Sequence, residues 1–513
     1  MQNRESSSRP DSEPASLWTA RDARESYPRL QTDRETDVAI IGGGIVGLTA
    51  ALLLQDAGLD VTVIEARRVG RQVTGRSTAK VTSQHGLKYH HLSTTYGIEA
   101  ARLYAQANEG ALHFIGERAA GLTPGSRFER RTAYTYTTNR GSLDALHEEV
   151  EAAVRAGLPA RFTSEVGLPF PVAGAIALDG QAQFDPYAYL EGLATRVAER
   201  GAVFEETRVH QVDEGEPCRL STHEHAITAR KVIVATHLPF LDRGLYYART
   251  KPEAHCVIAA LLDGPPLDGM FISTDSPTRS LRSFKDERGT WLVLSGEAYT
   301  PGDGDTDAMF AALEAEARER FPVASVEYHW TNEDYNSVDE LPLVGPLLPT
   351  SDHISVATGF GAWGITNGTV AAQILADAIL DRPSAIGELF STKRFTPKES
   401  ASTTLSEVAE TAKSYVDRVL PTTSLDLAAI APGQAAIGEF RGERTAISRD
   451  EDGTLHAVSA ICSHMGCIVG WNASMRTWDC PCHGSTFSAD GAVLHGPAVH
   501  DLERVELDGP EGA

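Results

Sequence analysis

The sequence predicts a doubly wound α/β domain followed by a small all-β domain, on three observations. A strand-like run, DVAII, enters the turn Gly42-Gly43-Gly44-Ile45-Val46-Gly47 and leaves as the helix-like LTAALLLQDAG. From Thr36 to about Phe390, strand-like runs (TDVAII, DVTVIEA, KVIVATH, TWLVLSGE, HISVATG) alternate with helix-like ones (EAARLYAQANEGALHFIGERAA, YAYLEGLATRVAERG, GTVAAQILADAIL), the mark of a sheet with crossover helices. Beyond Leu425 the pattern changes to short β runs separated by glycine turns, and four cysteines and two histidines fall close together there.

The chain has 513 residues, room for about two to four domains with cores of their own. A net charge of −24 repels nucleic-acid phosphates and anionic membrane surfaces, so neither is expected as a partner. The apolar run from Val38 to Leu54 is broken by Gly42, Gly43, Gly44 and Gly47, which suits a nucleotide-binding turn better than a membrane span. The N-terminus has scattered charges and lacks the apolar stretch of an export signal, so the chain reads as cytoplasmic, with no integral membrane segment.

Residues 1–35 form a polar tail in which Trp18 and Tyr27-Pro28-Arg29-Leu30 offer apolar groups that could dock on the next domain. Residues 36–392 form the α/β domain. A linker over 393–424 opens and closes with prolines and encloses one amphipathic helix, expected over 403–419. Residues 425–513 form the small all-β domain. There are no internal repeats.

Each part of the glycine turn has a physical task. Gly42 permits the tight bend, Gly44 lets the backbone approach a pyrophosphate, and Gly47 lets the helix pack on the strand. Ile45 and Val46 lie within the turn and are expected on the cofactor with the glycines, the helix that follows points its N-terminus at the phosphate charge, and Glu65, ending the next strand, suits ribose hydroxyls. The motif by itself does not separate FAD from NAD. In the small domain, Cys462-x-His464 and Cys480-x-x-His483 supply four ligands, which tetrahedral zinc or an iron–sulfur cluster could use.

Three further segments bear on the first choice: GRQVTGRSTAKVTSQHG (70–86), KVIVATH (231–237), and VDELPLVGP with SVATGFGAWGITNGTVAAQILADAI (338–379). With the glycine turn they resemble the D-amino acid oxidase-like family of FAD-dependent oxidoreductases, over roughly Thr36 to Phe390. That resemblance implies an α/β FAD-binding Rossmann-like domain with an inserted α+β substrate domain. It implies that Glu65, Ala66 and Arg67 hold the adenosine ribose, that Val209 touches adenine, and that Ser77, Thr78 and Ala79 line the flavin ring. Thr358, Gly359, Gly364, Ile365 and Thr366 would return to the flavin, where a helix N-terminus favours an anionic reduced ring. FAD is expected to be held noncovalently. Substrates of such a family carry a C–H beside an amine or hydroxyl, commonly amino acids or N-methylated amines. Arg282 is the candidate for binding a substrate carboxylate, and His85, Lys88 and Tyr247 are candidates for substrate contact or proton transfer.

The second motif set resembles Rieske 2Fe-2S proteins, down to CPCHGS (480–485) and Gly496-Pro497-Ala498. By that resemblance Cys462 and Cys480 hold one iron and His464 and His483 the other, with Cys467 and Cys482 paired as a disulfide tying the two loops, as in respiratory-complex members. Ser485 would donate to a cluster sulfur, and Phe487 stands where high-potential members have a tyrosine, which implies a lower potential. A two-electron flavin joined to a one-electron cluster implies electron transfer to an acceptor protein or quinone. Electron delivery in the opposite direction, and a redox carrier or sensor without turnover, remain as alternatives.

Overall fold

A computed structural model describes residues 15–20, 26–123, 125–394 and 422–507. The expected linker helix over 403–419 lies outside the described residues.

The first sheet runs in the order Leu343–Pro346, Ile354–Thr358, Ala226–Val234, Arg34–Ile41, Val61–Ile64, Ala202–Phe204. Pairing is parallel from Ile354–Thr358 to Ala202–Phe204 and antiparallel at the Leu343–Pro346 edge. Its strands are near-continuous β-branched runs because helices cover them: Val38, Ile40, Val61 and Val63 are wholly buried. The helix Ile45–Asp56 packs between Gly364–Ile379 and Pro186–Ala198. The apolar run that could have been mistaken for a membrane span is therefore a strand, a turn and a buried helix. Among the described residues no helix is long and apolar enough to cross a membrane.

The second sheet is mostly antiparallel and forms the inserted substrate domain. It runs Val323–Ser337, Thr250–Leu262, Thr290–Tyr299, Ser280–Lys285, Met270–Ser273, Glu129–Thr137, Gly174–Gln183, Lys80–Val81. The N-terminal segment docks as its composition suggested. Trp18 is 1% exposed and its indole donates to the Ser77 carbonyl at 2.8 Å, while Leu30 is buried against the first sheet.

The small domain has a three-stranded sheet (Ala435–Phe440, Glu443–Arg449, Leu455–Ser459) and a four-stranded one (Gly470–Asn472, Thr477–Asp479, Thr486–Ser488, Val493–His495). Val458, Trp478, Phe487 and Val493 form its core. It sits against the larger body at several places, among them the strand Val493–His495, where Arg67 donates to the Leu494 carbonyl and Arg208 to the Val493 carbonyl, and two further patches. One joins the strand Gly470–Asn472 and the turn after it to residues 299–307, where Thr306 Oγ1 donates to Asn472 Oδ1 at 3.0 Å and Asn472 Nδ2 to Tyr299 at 3.2 Å. The other places the cluster loops beside Val323–Ser337.

Candidate functional site

A cavity of about 680 Å³ opens at the C-terminal edge of the parallel strands, between the two sheets. Gly42, Gly44, Ile45 and Val46 line it from the helix N-terminus. That helix has no side-chain cap from Gly44 and no acidic residue in its first turn, and its first amide, of Ile45, makes only a long 3.4 Å contact with Thr74 Oγ1, so its positive dipole end is offered to an anion. A Cβ on Gly44 would meet only Thr74 Oγ1, at 3.5 Å, which leaves the approach to a pyrophosphate open. Gly47 does not reach the cavity: a Cβ there would lie 2.0 Å from the Gly42 carbonyl oxygen, so its role is the close packing expected of it. Glu65 accepts from the amides of Gly43 and Arg67, each at 2.9 Å, and shapes the turn while lining the cavity. Burial pushes its carboxyl up, with the two amides and then Arg208 and Arg67 opposing. Ala66, Arg67, Val209, Ser77, Thr78 and Ala79 also line the cavity, as do Gly364 and Ile365. The size of the cavity, the glycine cradle and the acid beside it fit FAD.

The returning loop needs correction. Thr358, Gly359 and Thr366 are not on the cavity wall, which instead runs through Ala357 and Phe360 to Ile365. Thr366 donates to the Thr82 carbonyl at 3.1 Å and so ties the helix Gly364–Ile379 to the segment that follows the strand Lys80–Val81.

The three candidate catalytic residues also lie off the wall. Arg282 is wholly buried; Nη1 donates to the Ala79 carbonyl and Nη2 to the Phe184 carbonyl, both at 3.0 Å, and its guanidinium lies 4.8 Å from the Trp18 ring. It braces the cavity-lining segment 77–80 and spends both terminal nitrogens on these carbonyls, off the cavity wall. His85 is buried, accepts from Tyr104 at Nδ1 (2.6 Å) and donates to the Thr82 carbonyl from Nε2 (2.7 Å), with its ring stacked on Trp363. Burial lowers it to about 3, so it is a neutral packing piece. Lys88 pairs with Glu340 at 2.7 Å away from the cavity. Tyr247 is not there either; its ring lies edge-on to His483, with centroids 5.2 Å apart.

Lys80, three residues after Ser77, was not among the candidates, yet it lines the cavity with Ser280, to which its Nζ is hydrogen-bonded. Among the described residues no carboxylate pairs with it. Burial, and then the charge of Arg282, lower it to about 7. The sequence signal was only a lysine inside a flavin-lining segment; that it faces the cavity depends on the pairing of Lys80–Val81 with Gly174–Gln183.

In the small domain two tight loops present the four ligands. Gly466 N donates to the Cys462 carbonyl at 3.0 Å and Gly484 N to the Cys480 carbonyl at 2.9 Å, and the Cys467–Cys482 disulfide ties the loops together. Cys462 and Cys480 are buried free thiols in mutual hydrogen-bonding contact. The Cys480 thiol draws Cys462 down to about 7 and is itself pushed up. The rings of His464 and His483 lie 5.1 Å apart, and the Nδ1 of each is buried without a hydrogen-bond partner. Burial, and then His464, keep His483 neutral, at about 4. Two soft sulfurs and two inward imidazole nitrogens without partners are the donor set of a Cys₂His₂ centre. Ser485 accepts from Ala498 N at 3.0 Å and is hydrogen-bonded to the Cys462 thiol.

A family model described as FAD dependent oxidoreductase matches residues 37–378, more than half of the chain. The chain belongs to this family. A model for the Rieske [2Fe-2S] domain matches residues 423–506. Over 499 residues the chain is 34% identical to YhfW of Bacillus subtilis (strain 168), a Rieske 2Fe-2S iron-sulfur protein, covering 96% of this chain and 98% of the relative. It is 23% identical over 382 residues to gamma-glutamylputrescine oxidoreductase of Escherichia coli (strain K12), covering 69% and 85%. Glycine oxidase from Geobacillus kaustophilus shares the fold, with a TM-score of 0.58 at 18% identity over 71% of this chain and all of that one. This FAD-dependent oxidoreductase thus carries two cofactors, FAD and a 2Fe-2S cluster, the second held in a C-terminal Rieske domain.

Proposed function

We propose that this oxidoreductase oxidises a small amine or amino-acid-like substrate at the flavin and exchanges the electrons with an acceptor protein or quinone through its Rieske domain. The observation that carries the reading is a shared wall. Leu494 to Val499 of the Rieske domain line the same cavity as the Gly42–Val46 turn, while the Tyr335 hydroxyl, from the substrate-domain sheet, donates to the His483 carbonyl at 2.8 Å. When bound, FAD accepts a hydride and the cluster carries single electrons.

The chain's own residues supply binding and proton handling. Glu253 and Asp334, whose neighbours are His255 and His237, line the cavity at the substrate-domain side. The arginines on the wall (Arg67, Arg68, Arg208) lie by the glycine turn and Arg282 is off it, which supports a substrate presented as an amine cation over one gripped by its carboxylate. An amine yields hydride from its neutral form, so its ammonium proton must first leave. Lys80, held at about 7 and hydrogen-bonded to Ser280, is the group on the wall suited to accept it. The name of the Escherichia coli relative points to the same class.

The test is anaerobic mixing with a panel of primary and N-methylated amines, followed by visible absorption and EPR. Flavin bleaching and then a Rieske-type signal are expected, and Cys462→Ser should keep the bleaching and lose the signal. A flavin that no amine bleaches, in a protein whose cluster accepts electrons from an external reductase, would instead establish delivery towards the flavin.

A further inference from the structure

His464 has two distinct ring environments. Its Nδ1 is buried without a hydrogen-bond partner on the side of the two thiols, and its Nε2 lies 2.7 Å from Asp242 Oδ1. The histidine side chain is 5% exposed and the aspartate 53%, so the contact seals the imidazole while its partner stays at the rim. Asp242 belongs to the flavoprotein domain, in the loop that follows the strand Ala226–Val234. The same face receives the other histidine: Tyr247 meets the His483 ring edge-on and Tyr335 donates to its carbonyl. A Cβ on Gly484 would sit 1.8 Å from Glu333 Oε1 and 2.7 Å from the Tyr335 hydroxyl, so the turn just after His483 is shaped for this surface.

We infer that Asp242 is a positioning residue for the iron–sulfur centre, clamping the outer nitrogen of His464 so that the flavoprotein domain sets the reduction potential of the Rieske cluster. A carboxylate accepting from Nε2–H fixes the tautomer that leaves the Nδ1 lone pair inward and makes the imidazole a stronger donor. Stronger donation and a nearby negative charge favour the oxidised iron, so the potential falls. The inference does not depend on the substrate or on the direction of electron flow.

The experiment is an EPR-monitored redox titration of the full-length holoprotein. Asp242→Asn should raise the midpoint potential of the cluster, Asp242→Glu should stay near wild type, and Asp452→Asn, an exposed carboxylate elsewhere on the small domain, should change nothing. An Asp242→Asn potential equal to or below wild type, or an equal rise in Asp452→Asn, would overturn the inference. Diethylpyrocarbonate labelling read by mass spectrometry gives an independent answer. His464 should be protected in wild type and labelled several-fold faster in Asp242→Asn, and equal labelling would count against the clamp.

Discussion

Arg282 braces the fold where a grip on a substrate carboxylate was expected, while Lys80, to which no role was attached, faces the cavity; both are buried without an ion-pair partner among the described residues. Arg282 spends both terminal nitrogens on the carbonyls of Ala79 and Phe184, so Arg282→Met strips two buried acceptors of donors. The expected cost is about 2–3 kcal/mol of stability with the substrate KM little changed, read by thermal unfolding beside steady-state kinetics. Lys80 sits at about 7, so the rate of flavin reduction should rise with pH through that value as the amine loses its proton, and fall below it as the base is filled. Lys80→Met should flatten that limb in stopped-flow traces, whereas Lys88→Met, which breaks only the pair with Glu340, should keep it. The glycine turn with Glu65 beside it, and the grouping of Cys462, His464, Cys480 and His483, were legible because their spacing is set by neighbours in sequence. Lys80 and Asp242 were not, because their partners Ser280 and His464 lie 200 and 222 residues away.

The glycine turn separates two effects that the motif runs together. Gly47→Ala forces a Cβ into the Gly42 carbonyl and must move the helix Ile45–Asp56, so the protein should lose stability even without FAD, by about 1–3 kcal/mol. Gly44→Ala finds ordinary van der Waals space in the protein and should instead weaken FAD retention, which gel filtration with flavin absorbance distinguishes. The final helix starts at Gly364, although the helical pattern is clear only from Gly368, because GITNG is composed like a loop. Packing overrides that composition: a Cβ on Gly368 would press at 3.1 Å on Ile45 and 3.2 Å on Val46 of the first helix. In the Rieske domain the disulfide closes a separation of 15 residues. Cys467→Ala with Cys482→Ala should therefore cost about 3 kcal/mol, with cluster loss at lower temperature in a visible-absorption melt.

At the scale of the whole molecule, the sequence separates an oxidoreductase body from a Rieske domain but carries no sign of how they meet, since the surfaces involved are scattered single residues. The patch at Gly470 and the patch at the cluster loops are linked through one sheet, since Gly470–Asn472 pairs with Thr477–Asp479, which runs directly into Cys480, so they should be coupled. At the patch away from the cluster, a Cβ on Gly470 would lie 1.9 Å from the Gly302 carbonyl oxygen, and backbone cannot give way as a side chain can. Gly470→Ala must therefore push the domains apart there, straining the Thr306–Asn472 and Asn472–Tyr299 hydrogen bonds. If the small domain pivots as a body, the Asp242–His464 contact at the other patch lengthens, and the cluster potential should rise in the same direction as in Asp242→Asn. The double variant should then show little beyond Asp242→Asn alone, because the contact through which the glycine acts is already gone. Redox titrations of the four proteins in that cycle measure it. A full additional rise in the double variant would mean that the two patches act independently and that the glycine influences the cluster by some other path.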